Sequence, residues 1–355
     1  MSSNEKPLLL EVEDIKVEFP LKEGTIRAVN GVSLSVRRGA TIGIVGESGC
    51  GKSVMARSIL RIVAPPGEIT NGKITYHRPV DRRSTASEPI DLTALDPAGK
   101  DIRRIRGAEI AMIFQEPMTS LSPVHTIGNQ IGESIQLHQG LSAKEAQISA
   151  LEMLRLVGMP QPQNVLKSYP YQISGGMRQR AMIAMALSCH PNLLIADEPT
   201  TALDVTTQAQ ILTLMRQLQA EIGMATLFIT HDLGVVAQMT EFVVVMYLGK
   251  VVESADVDSI FYRPLHPYTS ALINSIPKLG QKEQIGRLTA IKGSVPDPYS
   301  IPKGCPFHTR CPFNDGDRCI KEVPVLREVE SGHMAACHYA ESLDLASIET
   351  STVQE

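Results

Sequence analysis

The stretch TIGIVGESGCGKS, residues 41–53, constrains this chain more than any other. An apolar run that passes through a glycine-rich loop into helix-forming sequence requires a strand, a turn and a helix in that order. Gly46, Glu47, Ser48, Gly49, Cys50, Gly51, Lys52 and Ser53 satisfy the pattern GxxxxGK[ST]. The glycines matter because backbone amides must close round phosphate oxygens with no Cβ atoms in the way. Lys52 then reaches the outer phosphates, Ser53 takes Mg²⁺, and the following helix offers its positive end. The apolar residues Val54, Met55, Ile59, Leu60 and Ile62 recur at helical spacing, as that arrangement demands. The expected ligand is a nucleoside triphosphate.

A phosphate loop needs carboxylates downstream, and LLIADEP supplies an apolar strand that ends in Asp197 and Glu198. Asp197 is placed to hold Mg²⁺ and Glu198 to polarise the attacking water as general base. Strand signals also mark LLLEVEDIKVEF, VNGVSLSVRRG and ATLFITHD, while helical periodicity marks Gly140 to Gly158 and the segment after Ser174. The alternation of strands and helices predicts an α/β layer, with mostly helical material between Gln115 and Gly175. His77 to Asp101, polar and proline-bearing, is expected to be an exposed loop. Prolines crowd the chain beyond Val252, which puts a domain boundary near Phe261.

With 355 residues and 43% apolar content, the chain can bury a large core. A net charge of -4 gives no basic field to argue for nucleic acid. Its longest apolar runs, such as that round Val244, fall short of the roughly 20 residues a membrane-spanning helix needs. Leu8, Leu9 and Leu10 are hemmed in by charged residues, so no signal-peptide core is expected and the six cysteines should be reduced.

Ser174, Gly175, Gly176, Met177, Arg178 and Gln179 resemble the signature sequence of ATP-binding-cassette proteins, and Ala202, Leu203, Asp204 and His231 match that family's next two motifs. Ser174 is a good N-cap, and the two glycines leave the helix start bare for a γ-phosphate. The resemblance implies an α/β ABC-type P-loop NTPase whose nucleotide-binding domain spans 8–262 and comprises a RecA-like core and a helical subdomain over about 116–180. It further implies a head-to-tail dimer in which each ATP lies between one chain's phosphate loop and the other's signature helix. Under it Gln115 touches Mg²⁺, His231 contacts the γ-phosphate and Asp204 communicates across the seam. The signature departs from its commonest form at Met177, and the usual adenine-stacking aromatic has only Ile26 or Phe19 near its place.

Cys305, Cys311, Cys319 and Cys337 are separated by five, seven and seventeen residues. Zinc fingers and ferredoxin runs are spaced more tightly, so spacing alone leaves a metal site and unrelated buried cysteines both open. Together with Leu265, His266, Pro267, Tyr268 and Thr269, these cysteines resemble the C-terminal extension of ATPases from dipeptide and oligopeptide importers, here 263–342 with a tail over 343–355. That resemblance implies a [4Fe–4S] cluster on the four cysteines, with zinc second; a structural role is expected over redox sensing because nothing else in the sequence suggests electron transfer. Cys50 and Cys189 are expected to be spectators, although an exposed Cys50 could be modified.

The same resemblance implies an ATPase at the cytoplasmic face of the bacterial inner membrane. It would pair with a second, non-identical or identical ATPase and two membrane permease subunits, and serve an extracytoplasmic binding protein indirectly. A nickel importer is the near alternative. A soluble cassette ATPase on ribosomes or nucleic acid is the distant one, and the chain lacks that class's second cassette and heptads.

Overall fold

The computed structural model describes residues 6–81, 86–115, 120–201, 203–276 and 291–345. The expected tail beyond Leu345, Ala202 of the motif before Asp204, and residues 116–119 after Gln115 lie outside them.

Two sheets carry the molecule. Strands β1 (Leu8–Leu21), β2 (Gly24–Arg37), β4 (Glu68–Pro79) and β5 (Ser87–Asp91) form an antiparallel sheet in the order β2-β1-β4-β5. The second sheet has eight strands in the order β11-β12-β10-β9-β3-β8-β7-β6. Its parallel centre consists of β3 (Thr41–Val45), β6 (Ile110–Ile113), β7 (Leu193–Asp197), β8 (Ala225–Ile229) and β9 (Phe242–Tyr247). β3, β7 and β8 are buried at every residue, which is why they read as continuous apolar runs rather than as alternation.

The segment expected as a loop, His77 to Asp101, instead continues β4 to Pro79 and then pairs back on it as β5, with Thr75 opposite Asp91 and His77 opposite Pro89. Polar composition misled here because β5 is an edge strand. An edge tolerates proline and solvated side chains, since half of its backbone groups need no ladder partner.

Helix α1 (Lys52–Ile59) follows the phosphate loop and stops before Arg61, whose φ of 55° breaks the helical path. After the short α2 (Lys100–Ile105) comes a helical layer. It comprises α3 (Ile127–Gln139), α4 (Ala143–Leu156), the single turn α5 (Pro162–Val165) and α6 (Gly175–Leu187). Ile131, Ile135, Ala146, Ala150, Leu154 and Ile183 interlock there in a core that continues onto Ile113, Ala196 and Phe228 of the parallel sheet. Helices α7 (Val205–Ile222) and α8 (Leu233–Met239) return the chain to the parallel sheet.

Beyond β10 (Lys250–Asp256) come α9 (Val257–Tyr262), α10 (Pro267–Asn274), α11 (Arg318–Lys321), β11 (Arg327–Glu330) and β12 (His333–Ala335). β12 pairs with β10, so the extension lengthens the cassette's own sheet. Tyr268, Ile273 and Phe307 share one apolar cluster with Val45, Val243 and Val245. A buried polar knot sits beside it: Glu253 accepts from the backbone of Leu265 and His266 and from His333. Burial holds the imidazole of His266 down at about 3, so it stays neutral and its Nδ1 accepts from the Tyr268 amide.

Candidate nucleotide site

Parallel strands all end on the same side, and the carboxyl ends of β3, β7 and β8 bring Gly46 to Ser53, Asp197 to Glu198 and Thr230 to His231 together. Backbone sterics allow only glycine at the loop's entrance and exit. A Cβ on Gly46 would lie 2.2 Å from the Met246 carbonyl oxygen, and one on Gly51 2.1 Å from that of Ala28, both at positive φ. Lys52 is buried, and its Nζ donates to the carbonyls of Gly46 and Glu47 at 2.7 and 3.0 Å. The ammonium therefore lies inside the loop's curve, where phosphate charge is expected.

At the head of α1, Ser53 Oγ donates to Asp197 Oδ1 at 2.9 Å. The other oxygen, Oδ2, is buried without a hydrogen-bond partner, and burial raises the pKa of this carboxyl. A hydroxyl and a carboxylate with an unused buried oxygen are hard donors that suit Mg²⁺. The next residue, Glu198, has a φ of 46° and donates its N–H to Ile229 O at 2.9 Å. Its carboxylate is nearly buried and held on three sides. Gln115 Nε2 donates at 3.1 Å, Thr201 Oγ1 at 2.9 Å, and His231 Nδ1 stands 3.3 Å away. The expected Mg²⁺ reporter and switch histidine thus both meet the carboxylate of the expected general base. Thr201 is a partner that sequence reasoning missed, although its place three residues after Glu198 was available as a signal.

Ser174 caps α6 by accepting from the Met177 amide at 3.3 Å, and a Cβ on Gly175 would meet open space. Gly176 lies against Thr207, whose amide and hydroxyl are held by Asp204 at the head of α7. Ser174, Gly175 and Asp204 are therefore exposed together, and none of the hydrogen bonds of Ser174 reaches the phosphate loop. Met177 packs into the helical core.

Cys50, expected to be a spectator, is buried, 3% exposed, and burial raises its thiol pKa. Phe19 packs on Gly67, where a Cβ would come within 2.5 Å of its ring, which ties it to the chain after α1. An exposed aromatic that was not anticipated, Tyr299, lies over Gly24 at the β1–β2 turn, near Ile26.

Glu47 turns its carboxylate outward to Arg310. Beyond that arginine, Cys305, Cys311, Cys319 and Cys337 line one small cavity together with His266, Phe307 and Tyr339. Burial pushes the thiols of Cys305 and Cys311 up to about 11 and 12, and those of Cys319 and Cys337 upward as well. Four soft donors round one cavity suit a thiophilic metal centre by donor type. Among the described residues, however, no three His, Cys, Asp or Glu side chains stand close enough to hold a metal ion. No helix among them is long and apolar enough to cross a membrane.

A model of the ABC transporter family matches residues 29–201, and a model described as the oligopeptide/dipeptide transporter C-terminal region matches 252–319. A probable peptide ABC transporter ATP-binding protein of Sinorhizobium fredii, y4tR, is 50% identical over 339 residues, 95% of this chain and 97% of that protein. The oligopeptide transport ATP-binding protein AppD of Bacillus subtilis is 48% identical over 93% of this chain and 96% of its own length. The dipeptide transport ATP-binding protein DppD of Escherichia coli is 45% identical with the same coverage. Among solved structures, the dimer of the cassette MJ0796 bound to ADP and Pi superposes with a TM-score of 0.60 at 27% identity, over 70% of this chain and 99% of that one.

Proposed function

Since the chain belongs to the ATP-binding subunits of di- and oligopeptide ABC importers and hydrolyses ATP for them, we propose that hydrolysis runs on the cluster round Glu198. The observation that carries this reading is the grip of Gln115, Thr201 and His231 on one carboxylate, next to the Ser53–Asp197 pair with its unpartnered oxygen. Glu198 takes the proton of the attacking water. Lys52 and His231 stabilise charge that develops on the γ-phosphoryl group. Ser53, Asp197 and Gln115 would hold Mg²⁺, which when bound neutralises phosphate charge.

Ser174, Gly175 and Asp204 are exposed and held apart from the loop's hydrogen bonds, which supports their use by a second cassette. In that arrangement ATP closes the pair and the closure is passed to two permease subunits at the cytoplasmic face of the membrane. Co-expression tests this. Recovery of the chain with both permease subunits is the expected result, and recovery with ribosomes or DNA instead would overturn it.

Cys305, Cys311, Cys319 and Cys337 would hold a [4Fe–4S] cluster as a structural centre that supplies folding energy to a segment with few buried apolar residues. Zinc suits the same donors and is the second reading. Purification without oxygen, followed by iron, sulfide and zinc analysis, should find about four irons and four sulfides per chain. Stoichiometric zinc selects the second reading, and folded protein free of both metals refutes the centre.

A further inference from the structure

Phosphate loops are made almost wholly of backbone, so few side chains fix their shape. In this chain Glu47 is fixed twice from outside the loop. Its carboxylate receives both arms of the Arg310 guanidinium, Nη1 at 2.6 Å and Nη2 at 3.0 Å. Its backbone N–H donates to the Tyr268 hydroxyl at 2.8 Å. Both partners belong to the C-terminal extension, 263 and 221 residues away in sequence.

The partners are rigidly mounted. The Arg310 side chain is 3% exposed, donates from Nε to the Lys292 carbonyl, and lies over the rings of Tyr247 and Phe307. Phe307 also packs on Tyr247 and Tyr268, each with ring centroids 5.3 Å apart. Arg310 directly precedes Cys311, and the turn between Cys305 and Cys311 is closed by backbone bonds from His308 to Cys305 and from Arg310 to Phe307. A planar fork on a carboxylate fixes orientation as well as distance.

We infer that Arg310 and Tyr268 are positioning residues for nucleotide binding: the extension grips Glu47 by carboxylate and amide and keeps the phosphate loop in its binding shape. The inference rests on the loop being the nucleotide site. Holding the loop lowers the ordering cost of binding, so the effect falls on affinity and KM, while kcat at saturation moves little.

The test uses the full chain, a fluorescent ATP analogue with Mg²⁺, and the variants Glu47→Gln, Arg310→Met, Arg310→Lys, Tyr268→Phe and Glu47→Gln/Arg310→Met. Each of the first two should weaken binding by about tenfold, and the double variant by no more than either alone, because the pair acts as a unit. Arg310→Lys keeps the charge without the fork and should fall between wild type and Arg310→Met. Tyr268→Phe should speed hydrogen exchange of the Glu47 amide at least about tenfold at an unchanged melting temperature. If Arg310→Met does not fold, Glu47→Gln and Tyr268→Phe still decide. Wild-type affinity and exchange in those two, or fully additive losses in a folded double variant, would overturn the inference. Lys52→Ala separates the premises. Loss of binding there with no effect at Glu47 sinks the brace alone, and undiminished binding there sinks the site itself.

Discussion

Replacing Glu198 by Gln should cut ATP turnover by at least about 10²-fold while ATP binding persists. The substitution removes the base and little else. The introduced amide is isosteric with the carboxylate, and its carbonyl oxygen can still accept from Gln115 or Thr201, which now hold the carboxylate at 3.1 and 2.9 Å. Neither the Lys52 cradle nor the Ser53–Asp197 pair touches it. Affinity should therefore stay within about threefold of wild type, since Lys52, Ser53 and Asp197 keep their contacts. Under the paired-cassette reading, ATP that cannot be hydrolysed leaves the seam closed, so the variant should elute as a dimer in Mg·ATP and as a monomer without it. Elution is measured on the purified chain and turnover on the chain assembled with its partner subunits. Turnover within a few-fold of wild type would remove Glu198 from the role of base.

The same carboxylate illustrates how far sequence carries. Asp197 and Glu198 were legible because a buried parallel strand writes itself as an apolar run, and its end is where function collects. Ser174 was legible as a cap, because capping is a local arrangement between a side chain and an amide three residues on, whereas the cap that Asp204 makes for the Thr207 amide went unread. The Glu47–Arg310 fork was not, because nothing in either neighbourhood marks the other across 263 residues. β5 was hidden for a different reason: an edge strand is stabilised by its neighbour's ladder, and its own polar composition reads as loop. The cysteines fall between these cases. Their type was informative and their irregular spacing was not, since folding rather than sequence brings them round one cavity.

Replacing Glu253 by Ala should cost at least about 3 kcal/mol, since it strips the acceptor from three buried donors at about 1–3 kcal/mol each. Glu253 is fully buried on β10, and its two oxygens serve three donors: Leu265 N at 2.6 Å, His266 N at 2.9 Å and His333 Nε2 at 2.7 Å. Alanine leaves two backbone amides and an imidazole without acceptors in a dry interior, and the Nδ1 of His333 is already unpartnered there. These donors enter from the start of α10 and from β12, so the loss falls on the join between cassette and extension rather than on the parallel sheet. Urea unfolding should shift to lower midpoint, and hydrogen exchange should accelerate first over residues 265–276 and 333–337, ahead of β3 and β7. Glu253→Gln keeps one acceptor oxygen and should lose less. If the alanine variant loses under about 1 kcal/mol, the knot is not what fastens the extension, because surface polar substitutions commonly cost no more than that.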